Sequence, residues 1–373
     1  MTAGGRHRAW LEIDHAALAA NLATLRRLAG EQEVIGVVKA NAYGHGAVDV
    51  ARTLLGQGVE RLAVATVSEA ADLRAAGIQG PLVVLWGIGD EDAAAVVELD
   101  LEPMVDRDAT VETLAAAAAH AGRRIGVHLK VDTGLGRQGV EPEGALDLAR
   151  TIGAAPGLVL AGTMTHLAAA DDTAYTDRQL DRMASVLDDL RAAGVDPGLV
   201  HVAATGAILA GVGTFADAVR PGIGLYGLAP AGMTDAGSDL RPILSLRALP
   251  LRVFEVAAGT PVGYGLRWTA ARRSRLATLP IGYGDGWPRS HLNNGFALVH
   301  GTRVPMVGAI SMDGLVVDVS DAGSVGLEDE FVLIGRQGDA VITADEVAAQ
   351  RETINYEVTT SLRQRLPRRH LRP

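Results

Sequence analysis

Cysteine is absent from all 373 residues. That excludes disulfides, thiolate zinc sites, iron–sulfur clusters and cysteine nucleophiles. Lysine is nearly absent too: Lys39 and Lys130 are the only two. No run of about 18 apolar residues occurs, so no transmembrane helix is expected. The first residues, 1–9, lack the apolar stretch of a signal peptide and read as a short flexible lead. A soluble, cytoplasmic protein follows by default. Basic residues number 34 against 44 acidic ones, a net charge of −10. The chain therefore lacks the basic footprint of a nucleic-acid binder, although local Arg or Lys sites for small anions stay open.

What is present is enough to fold. Apolar residues make up 48% and charged residues 21%, so a sizeable core forms and bulk disorder is excluded. The length suits two domains. Abundant alanine and glycine reflect composition bias and carry no functional weight.

The first two-thirds alternate between short β-branched runs and Ala/Leu/Arg segments at helical spacing. Strands are expected at Val34–Lys39, Leu62–Thr66, Leu82–Trp86, Glu102–Val105, Ile125–Val131, Leu158–Thr165, Leu199–Ala203 and Ala218–Arg220. Helices between them include Asp14–Ala29, Ser68–Ala76, Asp108–Ala121 and Asp172–Ala193, several opened by Asp or Ser caps. Eight strands with intervening helices predict a closed parallel (β/α)8 barrel of the TIM type over residues 10–235. An open doubly wound sheet is the alternative, but no Gly-x-Gly-x-x-Gly follows the first strand. From about residue 236 to 373 the chain reads as a mostly antiparallel β domain, with short strands such as Ile243–Ala248, Arg275–Pro280 and Gly314–Asp318 separated by Gly, Pro and Asp turns. The basic tail Arg363–Arg372 reads as a solvated end.

In a parallel barrel, functional groups gather at the carboxyl ends of the strands. The first strand ends in Val37-Val38-Lys39-Ala40-Asn41-Ala42-Tyr43-Gly44-His45-Gly46. A lysine after an apolar run is poorly hydrated, which favours its neutral, nucleophilic form. A barrel-mouth lysine paired with a carboxylate is an equal reading. The fifth strand carries His128, Lys130 and Asp132 on one face, with Arg137 just beyond. A structural ion-pair network is the better reading of these. The sixth strand ends at Thr165-His166. The seventh runs into Ala204-Thr205-Gly206, where a hydroxyl and helix-start amides make a usable but weak phosphate cradle. The eighth gives Val219-Arg220-Pro221-Gly222-Ile223-Gly224, whose glycines admit a ligand close to the backbone.

Taken together, these motifs resemble the alanine racemase family, pyridoxal phosphate enzymes built from a barrel and a β domain. The decamer Val37–Gly46 resembles the family's cofactor-lysine motif, which is highly specific. Further matches are Lys130–Arg137, Val219–Gly227, Gly263-Tyr264-Gly265, Gly282-Tyr283-Gly284-Asp285-Gly286, Ser311-Met312-Asp313 and Thr353-Ile354-Asn355-Tyr356-Glu357. They span nearly the whole chain, in the family's order.

The resemblance implies roles. Lys39 would hold pyridoxal 5'-phosphate covalently and act as one catalytic base. Tyr264 would be the other, supplied by the partner subunit of a homodimer with shared active sites. Arg220 would bond the pyridine nitrogen and Arg137 the phenolic oxygen. Tyr43, Thr205, Gly222, Ile223 and Tyr356 would hold the phosphate. His166 would sit between Arg220 and Tyr264. Arg137, Met312 and Asp313 would contact the amino-acid substrate. Lys130 matches a position often carbamylated. Asp171, Tyr283, Arg289, Ala309 and Ile354 would line the corridor to the site, and no metal is implied. The chemistry agrees: racemisation removes a proton from one face of Cα and returns one to the other, which suits two bases on opposite faces. A guanidinium against the ring nitrogen keeps the ring unprotonated, a weaker electron sink that favours return of the proton to Cα.

Two departures stand out. Ala204 replaces a common Asn, and Ala309 replaces a common Arg, which would widen the corridor. L- and D-alanine are the expected substrates. Another small amino acid, such as serine, in secondary metabolism is the alternative, although Tyr356 narrows the pocket. A decarboxylase of this plan would rely on an interface cysteine, and a non-catalytic cofactor carrier would leave the β domain unexplained.

Overall fold

The computed structural model describes residues 7–372; residues 1–6 of the expected lead lie outside them. The chain forms two compact units. One is Leu18–Arg241, and the other joins the residues up to Ala17 with those from Pro242 onward.

The first unit is a closed parallel barrel. Its strands are Glu33–Val37, Arg61–Val64, Leu82–Val84, Glu102–Val105, Ile125–Lys130, Leu158–Met164, Leu199–Ala204 and Ala218–Arg220. The ring closes where Glu33 and Val34 pair with Ala218 and Val219. Barrel strands are covered on both faces, so they read as unbroken apolar runs; Leu82, Val83 and Val84 are all fully buried. Helices separate the strands, and their ends follow local chemistry. Thr66 caps the helix Val67–Ala75 and forms a capping box with Glu69. One helix, Ala47–Gly56, was not legible in the sequence: it follows the lysine motif directly and is opened by Gly46 without a side-chain cap.

The second unit is built on a largely antiparallel sheet. Its strands run in the order Arg252–Val256, Ser274–Leu279, Leu315–Asp318, Thr302–Val307, Phe296–Val299, Phe331–Gln337, Leu244–Ala248, Ala9–Asp14 and Arg368–Leu371. Leu244–Ala248 alternates buried and half-buried residues, as a sheet with one packed face does.

Two expectations are corrected here. The barrel does not begin at Trp10, because Ala9–Asp14 pairs antiparallel with Leu244–Ala248 in the other unit's sheet. Ala9, expected in the lead, belongs to this strand. The tail is not a solvated end either: Arg368–Leu371 pairs in parallel with Ala9–Asp14, and the Arg369 guanidinium lies 3.9 Å over the Trp10 ring. An edge strand tolerates such charge because one of its sides faces solvent. No helix among the described residues is long and apolar enough to cross a membrane.

Candidate active site

The carboxyl ends of the barrel strands carry a cluster of cations. Lys39 follows the first strand, and the next four residues, Ala40–Tyr43, all have φ between 51° and 54°. A left-handed turn of L-residues costs roughly 1–2 kcal/mol per residue, so surrounding contacts must hold it. They do. Tyr226 donates to the Val37 carbonyl at 2.7 Å, and its ring stacks on His45 and tilts against Tyr43. Asn41 Oδ1 accepts from Ala47 N at 2.9 Å, and Glu69 Oε1 accepts from Ala40 N at 2.6 Å. The turn leaves Lys39 half-buried at the barrel mouth. Burial, with Arg137 and Arg220 nearby, pulls its ammonium below the ordinary lysine range, while Glu69 opposes them.

Lys130 ends the fifth strand and is 5% exposed. Among the described residues its amine has no hydrogen bond or ion pair. Burial, Arg220 and Arg137 push it well below the lysine range. The ion-pair network expected around it is not formed by Asp132. That carboxylate instead accepts the backbone N–H groups of Gly134, Leu135 and Gly136 on Oδ1 and of Arg137 on Oδ2. Asp132 thus shapes the loop that presents Arg137. The Arg137 guanidinium sits 5.0 Å over the ring of Trp86, a residue the sequence reading did not single out.

Arg220 ends the eighth strand and is 3% exposed. Nη2 donates to the carbonyls of Thr165 at 2.7 Å and Val202 at 3.0 Å, and meets His166 Nδ1 at 3.4 Å. Nη1 donates to the His201 carbonyl and to His201 Nδ1 at 2.9 Å. Nε has no partner among the described residues. Burial lowers Arg220 to about 9, so it remains a cation at neutral pH. Burial, then Arg220, Lys130, Arg137 and Lys39, keep His166 well below the usual imidazole range.

Beside this cluster, Thr205 Oγ1 accepts from the N–H groups of Gly222 and Gly224, each at 3.1 Å. Both its lone pairs are engaged, which leaves its proton to donate. A Cβ at Gly222 would fall 2.4 Å from the Tyr43 hydroxyl, so only glycine admits that hydroxyl beside Ile223. These features fit pyridoxal phosphate: a poorly solvated amine, a phosphate cradle of hydroxyls and backbone, and an unpaired N–H on a fixed guanidinium.

The remaining expected residues lie elsewhere. Asp171 is exposed after the sixth strand, in the barrel unit. Tyr264, Tyr283, Arg289, Ala309, Met312, Asp313, Ile354 and Tyr356 belong to the β unit. Tyr264 is 69% exposed and Met312 53%. Asp313 accepts from Arg365 Nη2 at 2.7 Å. Tyr283 N donates to the Ser311 carbonyl, which ties its turn to the Met312 loop. Burial raises the Tyr356 hydroxyl to about 12. Ala309 is buried, with its N–H group 3.2 Å from the position of a Cβ on Gly263, beside Tyr264. Glu69 and Glu102 were also missed by the sequence reading. Glu102 carried one signal, a carboxylate opening an otherwise apolar barrel strand.

Comparison with known proteins bears on the family. Residues 13–230 match the model for the alanine racemase N-terminal domain, and residues 243–370 that for the C-terminal domain. The chain is 39% identical to an alanine racemase of Halothermothrix orenii, over 97% of this chain and 96% of that one. It is 37% identical to one of Methanococcus maripaludis, over 98% and 99%. The crystal structure of alanine racemase from Bacillus anthracis with bound L-Ala-P superposes with a TM-score of 0.93 at 35% identity, covering 99% of this chain and 96% of that one. That of the alanine racemase from D-cycloserine-producing Streptomyces lavendulae gives 0.92 at 35% identity, covering 99% and 98%. By its sequence, its two domains and its fold, the chain belongs to the alanine racemase family.

Proposed function

We propose that this protein interconverts L- and D-alanine with pyridoxal phosphate held by Lys39, Tyr43, Thr205, Arg220, Gly222, Ile223 and Tyr356. The observation that carries this reading is the pairing of a half-buried Lys39 with a fixed Arg220 whose Nε–H is unspent. When bound, the cofactor supplies electron withdrawal that acidifies the Cα–H of an attached amino acid.

The protein's own groups do the rest. Lys39, biased toward its neutral amine, takes or returns the proton on one face of Cα. Tyr264, from the partner subunit of a homodimer, serves the opposite face, with Met312 and Asp313 beside it. Arg220 would hold the ring nitrogen through its Nε–H, and because a guanidinium does not give up its proton this arrangement would favour return of the proton to Cα. Arg137 would hold the phenolic oxygen and the substrate carboxylate. His166 relays the field of Arg220 toward Tyr264. Lys130, whose amine has no hydrogen-bond or ion-pair partner among the described residues and is held well below the lysine range, would react in its neutral form with carbon dioxide, losing a proton, and the carbamate would set a negative charge beside Arg137. Asp171, Tyr283, Arg289, Ala309 and Ile354 line the approach, and the change at Ala309 favours serine as a second substrate. The β unit bearing Tyr264 argues against a simple cofactor carrier.

The test is α-deuterium exchange over the twenty L-amino acids, with borohydride trapping of the cofactor. Fastest exchange with alanine and attachment at Lys39 are expected. Attachment at Lys130, or exchange confined to another amino acid, would overturn the assignment.

A further inference from the structure

A chain of buried polar groups crosses the barrel from its amino end to Arg220. Glu102, the first residue of its strand, has Oε2 3.2 Å from His128 Nε2. His128 Nδ1 lies 2.8 Å from His201 Nε2, and His201 Nδ1 lies 2.9 Å from Arg220 Nη1. Both histidines are fully buried. Space for the pair is built in: a Cβ at Gly162, on the strand between theirs, would fall 2.5 Å from His128 Nδ1. At the far end Glu102 is also bonded to Arg61 Nη1 and lines a cleft with Arg74, Leu101 and Gly126.

The proton positions in this chain follow from donor chemistry. A guanidinium only donates. His201 Nδ1 must therefore accept, and its proton sits on Nε2. That proton is donated to His128 Nδ1, so the proton of His128 sits on Nε2 and goes to Glu102. An acceptor at the end, here the Glu102 carboxylate, makes every link a donor–acceptor pair. A doubly protonated imidazole at either position would place two donors face to face. Burial accordingly lowers His128 and, with Arg220, holds His201 well below the usual range. Burial raises Glu102, but the bonds from His128 and Arg61 more than offset it.

We propose that Glu102 is a positioning residue for Arg220: through His128 and His201 it fixes one tautomer in each ring, which keeps the terminal nitrogens of Arg220 on protein acceptors and its Nε–H aimed elsewhere. Without that carboxylate the His128 Nε2–H loses its acceptor, and its proton is drawn to Nδ1 against the preference that Arg220 imposes from the other end. The proton of His201 then moves to its own Nδ1, donor meets donor, and Arg220 is displaced. The inference rests on the proposed function only in naming the cofactor ring nitrogen as the acceptor of Nε–H.

Nitrogen-15 NMR of histidine-labelled protein without cofactor reads the tautomers directly. In the wild-type protein at neutral pH both rings should be neutral and protonated on Nε2. A proton on Nδ1 of either ring, or on both nitrogens, would overturn the proposal, and this arm needs no variant to fold. Glu102→Leu should produce an Nδ1–H signal, while Glu102→Gln, whose amide oxygen still accepts, should retain the wild-type pattern; an unchanged pattern in Glu102→Leu would overturn it. In cofactor-loaded enzyme, Glu102→Leu should lower kcat about tenfold with little change in KM, and Glu102→Gln should recover most of that loss. Equal losses in both variants would also count against it. A wild-type enzyme that does not racemise alanine overturns the proposed function and leaves the tautomer result standing.

Discussion

The Oε1 of Glu69 accepts the backbone N–H of Ala40 at 2.6 Å, one residue beyond Lys39. Its other oxygen accepts from Ala65 N at 2.8 Å, and its backbone N–H bonds the Thr66 hydroxyl that caps the helix. A single carboxylate thus joins the left-handed lysine turn to the start of the helix Val67–Ala75. Glu69→Ala should destabilise the fold by about 1–2 kcal/mol through the lost cap and the loosened turn. It should also weaken cofactor binding, because Lys39 and Tyr43 flank that turn. Urea unfolding and cofactor titration check this, and no change in either would show that the turn holds itself.

Active sites shared between subunits should be visible by complementation. Tyr264 and Met312 expose large apolar surface in the isolated chain. If the proposed two-fold dimer forms, each β unit should cover the partner's barrel mouth. Lys39→Ala and Tyr264→Phe proteins should each be inactive. Mixed heterodimers should regain activity, since one of their two sites is intact. Heterodimers that form without activity would exclude a shared site.

Stability should fall steeply in mild acid. His128, His166 and His201 are all held below the ordinary imidazole value of 6.5, chiefly by burial. In the unfolded chain each takes up a proton near that pH; in the folded barrel each does so only at lower pH. Below about pH 6.5 the unfolded state therefore binds more protons and gains free energy, by about 1.4 kcal/mol per pH unit for each histidine. The urea midpoint should drop as pH falls below 6.5. A midpoint independent of pH across that window would mean that the three rings titrate alike in both states.

Ala309 tests substrate selection. Ala309→Arg places a cation and several donors near Gly263, the neighbour of Tyr264, where a Cβ on Gly263 would fall 3.2 Å from the Ala309 nitrogen. Zwitterionic alanine is small and neutral overall, so its steering by that charge is modest at physiological salt. The ratio of kcat/KM for serine to that for alanine should drop a few-fold, on the order of 1 kcal/mol or less in differential barrier. An unchanged ratio would assign selectivity to Tyr356 and Tyr283 instead.

The alternation of apolar runs and helical segments determined the barrel, because strands covered on both faces leave a local pattern, as Leu82–Val84 does. The motif around Lys39 and the order of the later motifs likewise determined the family and the candidate lysine. Neither Ala9–Asp14 nor Arg368–Leu371 announced itself as a strand of the β unit: each pairs with the other from the far end of the chain, and pairing at that separation leaves no local periodicity. The same reason hid the partners of the charged groups. His128 and Lys130 share one face of one strand, but what each does depends on other strands: Glu102 and His201 bond the first, while none of the described residues bonds the second. Composition and spacing placed the charges in the barrel. Only the closed ring decided which donor faces which acceptor, because a hydrogen bond depends on ångström distances across strands that the sequence separates by tens of residues.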